Sequence, residues 1–583
     1  MKRILSLMLC AVMLLTALVG CTTIEGDNKG MIIDVYLATE LTDLDPALHY
    51  NDDAMVKFFD LIYEGLTNLK ANGKWEKAMM KKYELLGNDE DGWYLLITLE
   101  STKWSDGRTV QAQDFVYAWK RILDPDFKSE AASLLYDVKN ARDIKLGDVS
   151  VDDLGASAVD VYVLRVDFEK KPDIDAFFTA TASAALVPLR EDLVSREPHF
   201  GKAAANIITN GPFAIKVMSK GEVLRLDRNN YYMTNEEKKE AVDKYVIPYR
   251  LVTNYSYGDA EAQLAKFEAG ELFYLDEIPL SQRAAYKNTA TITDEMATHT
   301  YYFNTNNKLF SDARVRKALS MAIDRNESVN IVTYAKAATG LIPYGVFETK
   351  RGTSFRDAGG TLLNTSADVA GAQALLKEAG VTSGSFSVTI RPNEVDRAIA
   401  QYVKGVWESL GFTVKIEEVQ PVQVKDDEKV MYYDTFTEKY TNGDFDVIGI
   451  DMQMLTPDAF SALAPFALEF SGNGVDMNSD TYDLFGHVTG YSSEAYNALI
   501  EQAYATDDAA ARAAILHNAE QMLLEDMPIV PLVFLQDAYL IHDDLSGYGS
   551  SYYATREFKR MKLKNYTAYL PVETAAVSGK EEE

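Results

Sequence analysis

The sequence predicts an α/β fold built from more than one lobe. Short runs rich in β-branched and aromatic residues recur along the whole chain. Amphipathic segments of helical period, several stopping at a glycine, alternate with them. The third observation is length: 583 residues are more than one hydrophobic core accommodates. A content of 47% apolar and 25% charged residues is that of a folded globular protein.

The elements follow in chain order. IIDVYLA at 32–38 reads as the first strand. KKYELL and YLLITLE flank Asp91-Gly92, a pair that supplies the positive φ of a type I′ turn, so a hairpin is expected there. VYVLRVDF at 161–168 is a further strand. The segment 258–271, GDAEAQLAKFEAGE, is a helix with Gly270 at its C-terminal end. YYFNT at 301–305 is an aromatic strand, and Ser311 or Asp312 can cap the helix after it. Val315, Ala318, Leu319, Ala322 and Ile323 form the buried face of that helix. Arg314, Arg316 and Lys317 point elsewhere or anchor it to another lobe. Two more helices end at Gly380 and Gly411, with strands at 388–392 and 412–419. The segment 507–528 carries Ala513, Leu516, Ala519, Met522 and Leu523 on one stripe and is stopped by Pro528. IVPLVFLQ then reads as a buried strand, and 571–583 as a solvated tail.

The N-terminus bears on location. Lys2 and Arg3 precede an apolar run at 4–19 that is short for a membrane span of about 20 residues. Residues 1–20 therefore read as an export signal. They end in Leu18-Val19-Gly20-Cys21, which resembles the bacterial lipobox. The resemblance implies a lipoprotein signal peptide, cleavage before Cys21 and lipidation of that residue. Residues 21–30 become a polar tether. Cys10, the other of two cysteines, leaves with the signal, so no thiol remains for a disulfide, a nucleophile or a metal. The expected location is the outer face of the cell membrane, of Gram-positive type, with a periplasmic lipoprotein also open.

Composition argues against several functions. With 58 Lys+Arg against 88 Asp+Glu the chain carries a net charge of −30, unsuited to nucleic acid. The six histidines (His49, His199, His299, His487, His517, His542) have no metal-ligand spacing. There is no nucleophile elbow, and Gly201-Lys202-Ala203 is only a fragment of a phosphate loop. No catalytic residue, metal or cofactor is expected. Tyrosine is abundant, at 34 residues, which suits a core and also a cleft needing apolar faces and hydroxyls.

One segment is more specific. Residues 301–325, YYFNTNNKLFSDARVRKALSMAIDR, resemble the signature of the extracytoplasmic solute-binding proteins of the oligopeptide and dipeptide ABC transporter family, family 5. Other blocks match in order: Leu44-Asp45-Pro46, 61–66, 103–107, 113–121, Asn210-Gly211-Pro212-Phe213, 338–343 and 525–531. The resemblance spans 31–570. It implies a three-lobed, periplasmic-binding-protein-like fold of type II, cluster C. Lobe I would comprise 31–67, 206–299 and 529–570, lobe II 68–205 and lobe III 300–528, with a hinged cleft between lobes I and III. It implies a lipid-anchored, monomeric substrate-binding subunit that captures oligopeptides or a related small solute and passes them to ABC permease subunits. An exported peptidase or glycosidase, or a binding-fold sensor, is the competing reading.

In this family an aspartate within a segment resembling G-W-x-x-D-Y-x-x-P receives the peptide's α-ammonium. Aligning Gly449, Pro457 and Phe460 of FDVIGIDMQMLTPDAF puts Gln453 at that aspartate, with Ile450 for the tryptophan and Met454 for the tyrosine. Glutamine lacks the charge that roughly doubles such a bond. Three readings stay open. Asp451, two residues earlier on the same strand face, has taken the role; the ligand lacks a free amine; or the charge comes from another segment. The expected ligand-binding set is Tyr301, Tyr302, Gly449, Ile450, Asp451, Met452 and Gln453, with Met452 as packing and at least one tyrosine facing the cleft.

Overall fold

The computed structural model describes residues 30–566 apart from 38–40, 197–199, 204–206, 220–222, 234–241, 255–259, 350, 427–428, 477–482 and 554–556. Cys10, Cys21, the signal, nearly all of the tether and the tail lie outside the described residues. Among the described residues no helix is long and apolar enough to cross a membrane.

An eleven-stranded mixed sheet runs through the molecule. Its strands are β1 (Ile32–Tyr36), β2 (Phe213–Ser219), β3 (Val223–Arg228), β4 (Arg250–Asn254), β5 (Tyr274–Leu275), β6 (Thr291–Phe303), β7 (Ala335–Ala337), β8 (Gly384–Ile390), β9 (Phe412–Glu418), β10 (Val447–Gln453) and β11 (Ile529–Ile541). The spatial order is β9-β8-β10-β6-β11-β5-β1-β4-β3-β2, with β7 also on β11. β6 and β11, 13 residues each, are the two long strands and pair antiparallel at the centre. The early residues of β6 lie beside the β1–β5 half of the sheet and the late ones beside the β8–β10 half. Register shifts between Asp294/Thr298 and His299/Thr300 break the ladder midway. Such bulges bend a strand and let two sheet halves turn against each other.

A separate four-stranded antiparallel sheet is formed by Met80–Asn88, Gly92–Leu99, Val163–Phe168 and Ala156–Asp160. Its hairpin differs from the sequence expectation. Asn88 pairs with Gly92, so the loop is the three residues 89–91, and Gly92 rather than Asp91 carries the positive φ at its close. Three-residue loops of this kind close through a left-handed glycine rather than through a two-residue I′ turn.

The helices mostly follow their local signals. α1 (Asp53–Ile62) is capped by Asp52, and α2 (Ala112–Leu123) by reciprocal Gln111 and Asp114 bonds. α3 (Ala313–Met321) is capped by Asp312, whose side chain accepts from the Arg314 N–H; Ser311 does not cap. Val315, Ala318 and Leu319 are buried under it. Arg316 is buried too, and its guanidinium donates to the carbonyls of Phe310 and Met527, tying α3 to the end of a distant helix. α4 (Glu394–Ser409) starts at an Asn393 cap and precedes Gly411 at φ +100°. α5 (Ala509–Asp526) buries Ala513, Leu516, Ala519 and Leu523, while Met522 is half-buried. It ends one residue before Pro528, at Met527 in the left-handed region. Buried Glu520 on α5 accepts from the N–H groups of Leu341 and Ile342 and from Arg356, which explains the ordered 338–343 segment.

Two cores follow. One gathers Trp407, Phe303, Phe310, Phe386 and Tyr301. The other extends from β1 and α1 through the four-stranded sheet to 445–470, and includes Tyr302.

Candidate functional site

A cavity of about 240 Å³ lies between the two halves of the large sheet. One wall is the stretch from Leu48 into α1, Asp276 to Ile278, Arg283 and residues 535–538 of β11. The facing wall is Arg391, Asn393, Asp396, the helix around Thr437 and residues 449–451 of β10. Lys128, Ser129 and Glu130 close one end.

The strand in that wall is only half used. β10 pairs with β6 along its whole length, from Val447 to Gln453. On its other edge it pairs with β8 at Val447 and Ile448 alone. From Gly449 onward no described strand occupies that edge. Alternate backbone N–H and C=O groups there are therefore outside any ladder. Gly449 is needed for a local reason. A Cβ at this position would come within 2.9 Å of Tyr301 Cε1 on the neighbouring strand.

Register places the polar groups. His299 on β6 sits opposite Asp451 on β10, and its Nδ1 is 2.5 Å from Asp451 Oδ1. The imidazole is buried, whereas the Asp451 side chain is 42% exposed. Burial by itself lowers the His299 pKa, but the Asp451 charge, its hydrogen bond and Asp396 outweigh that, and the net direction is up. Asp396, in the first turn of α4, is buried, and burial followed by the charge of Asp451 pushes its pKa up to about 7. Burial pushes Glu130 and Glu277 up to about 7 as well.

The cavity is an acidic place. Eight carboxylates line it against four lysines and arginines. Arg391 bridges the walls through Asp52 at 3.0 Å, and on its own wall lies 3.3 Å from Asp434. Lys57 lies 3.4 Å from both Glu295 and Asp537. The arrangement suits a ligand carrying positive charge and backbone-like hydrogen-bonding groups.

Of the residues singled out from sequence, Gly449, Ile450 and Asp451 line this cavity. Met452 and Gln453 are buried beyond it, and neither amide atom of Gln453 has a hydrogen-bond partner. Tyr301 packs against Trp407 in one core, and Tyr302 against Tyr440, Phe466 and His487 in the other. Both tyrosines are core residues and are absent from the cavity wall. Sequence reasoning missed Asp52, Lys57, Glu130, Glu277, Arg391 and Asp396. They come from segments far apart in the chain, and none sits in a local pattern that marks it.

Comparison with known proteins agrees with this architecture. The profile of the bacterial extracellular solute-binding proteins, family 5, matches residues 79–474. The dipeptide-binding protein DppE of Bacillus subtilis is 26% identical over 574 residues, covering 94% of this chain and 97% of that protein. Listeria monocytogenes OppA bound to peptide superposes with a TM-score of 0.75 at 22% identity, covering 92% of this chain and 99% of that one. The Escherichia coli murein tripeptide-binding protein MppA gives 0.73 at 23% identity over 92% and 99% of the chains. Its unliganded open form, at 24% identity over 92% and 98%, gives only 0.54. The fold is the α/β, type II periplasmic-binding-protein-like fold, and the chain belongs to the bacterial extracellular solute-binding proteins of family 5.

Proposed function

We propose that this protein is the substrate-binding subunit of an ABC importer and captures short peptides in the cavity between the sheet halves. The observation that carries the reading is the unpaired edge of β10 at 449–451, opening on the cavity beside an exposed carboxylate. A peptide laid along that edge finds main-chain partners whatever its sequence. Asp451 then receives the α-ammonium. One of its oxygens is engaged by His299, and the cavity-facing exposure leaves the carboxylate accessible. Gln453 is buried away from the wall, which favours Asp451 among the three alternatives.

The remaining parts fit the same role. Lobe I (31–67, 206–299, 529–570) and lobe III (300–528) correspond to the two sheet halves, lobe II (68–205) to the four-stranded sheet, and β6 with β11 to the hinge. A ligand touching both walls stabilises the closed arrangement by its greater affinity for it. A permease distinguishes loaded from empty by that closure. Acylation at Cys21 holds the protein on the outer face of the membrane. No bond in the ligand is broken in this cycle.

The test is calorimetric titration of the full chain, purified in detergent and stripped of ligand by unfolding and refolding. Pools of short peptides with free and with acetylated N-termini are the titrants. Binding of the free-amine pool, weakened at least tenfold by acetylation and by Asp451→Asn, is the expected result. Equal affinity for both pools, or heat from neither with a native far-UV spectrum, would overturn the assignment.

A further inference from the structure

We propose that His299, Asp396 and Asp451 form a binding site for a divalent transition-metal ion, zinc by its donor set, in the wall of the cavity. Each residue offers one ligand atom, and these atoms all lie within 4.8 Å of one another. The three come from β6, from the first turn of α4 and from β10, and nothing in their sequence spacing suggests a metal site.

A second observation points to an absent partner. The Tyr301 hydroxyl is buried without any hydrogen-bond partner, close enough to Asp396 and Asp451 for both charges to act on it. His299 is 1% exposed and Tyr301 0%. Tyr301 lies on the same face of β6 as His299, with ring centroids 5.6 Å apart, and faces Gly449 across the ladder as His299 faces Asp451. Orphaned buried polar atoms are uncommon in native proteins and mark an unfilled site or an ordered ion or water.

The electrostatics agree. Asp396 and Asp451 repel each other when both are ionised, and a single dication neutralises the pair. The neighbouring basic group, Arg391, is already shared by Asp52 and Asp434. Asn393 Oδ1 accepts from the Asp396 N–H and so fixes the first turn that presents this carboxylate.

Donor type selects the ion. One imidazole and two carboxylates suit zinc, and next manganese or iron, whereas magnesium and calcium prefer oxygen alone. Tetrahedral zinc with bonds near 2.1 Å spaces its ligand atoms about 3.4 Å apart. The 2.5 Å contact between His299 and Asp451 must open by about 1 Å. The exposed Asp451 side chain can move that far. Three protein ligands leave one zinc position open, and it faces the cavity because Asp396 and Asp451 both line it. This site shares Asp451 with the peptide reading, so zinc is measured with no peptide present and its retention is read apart from peptide binding.

The full chain in detergent, stripped with a chelator, is dialysed against zinc chloride and its metal content measured by mass spectrometry. One tightly held zinc per chain is expected. Cobalt(II) should give the visible d–d absorption of a four- or five-coordinate site. Asp451→Asn and Asp396→Asn should each lower zinc affinity at least tenfold, measured by competition with a fluorescent chelator. Asp451 is exposed enough for its variant to fold, so loss at His299→Gln is not needed to decide. No retained zinc in the native chain, or zinc affinity in both asparagine variants equal to that of the native chain, would overturn the site.

Discussion

Glu130→Gln tests how the cavity end is held together. The Glu130 carboxylate accepts a 2.8 Å hydrogen bond from the Tyr440 hydroxyl, and His487 Nε2 is 3.6 Å away. Burial lowers the His487 pKa to about 3, so it stays neutral at working pH and offers no counter-charge. Tyr50, Tyr302 and Tyr440 are buried around it, and burial raises their pKa values, so they stay neutral as well. Burial raises Glu130 from 4.5 to about 7, although the Tyr440 bond acts in the opposite sense. A carboxyl whose folded pKa is raised holds its proton better in the folded state. Its contribution is fully present below 4.5 and is lost as pH rises through about 7. The interval corresponds to on the order of 3 kcal/mol of stability lost across that window. Glutamine keeps an oxygen for Tyr440 and has nothing to ionise. Urea unfolding of the variant should therefore match the wild type near pH 4 and exceed it by about 3 kcal/mol near pH 8. A variant less stable than wild type at pH 8, or a difference that does not change with pH, would refute the account.

Two further outcomes follow from other parts of the fold. Trp407→Ala should destabilise by about 3–5 kcal/mol in urea unfolding, since the indole is fully buried among Tyr301, Phe303 and Phe386 and donates to the Leu319 carbonyl; a loss under 1 kcal/mol would show that this core collapses into the space. Arg391→Gln removes the ion pair to Asp52 that joins the facing walls, along with the pair to Asp434 on its own wall. The unliganded variant should show a larger radius of gyration in small-angle scattering, with its unfolding midpoint little changed, and an unchanged radius would remove Arg391 from the closure.

Features governed by neighbouring residues were legible in the sequence. Gly270, Gly380 and Gly411 follow their helices and adopt positive φ, because a helix C-terminus imposes that geometry locally. Asp312 caps α3 through a bond two residues away. The order of strands and helices and the family signature were readable for the same reason. Where a local signal had a close competitor, the structure decided. Gly92 closes a three-residue loop, and Met527 rather than Pro528 ends α5.

The site was not legible in this way. Tyr301 and Tyr302 belong to different cores because successive residues of a strand face opposite sides, and only the packing of β6 shows what each side meets. Asp451 gains its significance from His299, 152 residues earlier, which antiparallel pairing sets directly opposite. Asp396 and Arg391 reach the same wall from the turn before and into α4. By itself the sequence determined an α/β chain with the signature of an extracellular solute-binding protein. Only the tertiary structure decided which carboxylates share a cavity, because charges interact through space over a few ångströms, whatever number of residues separates them along the chain.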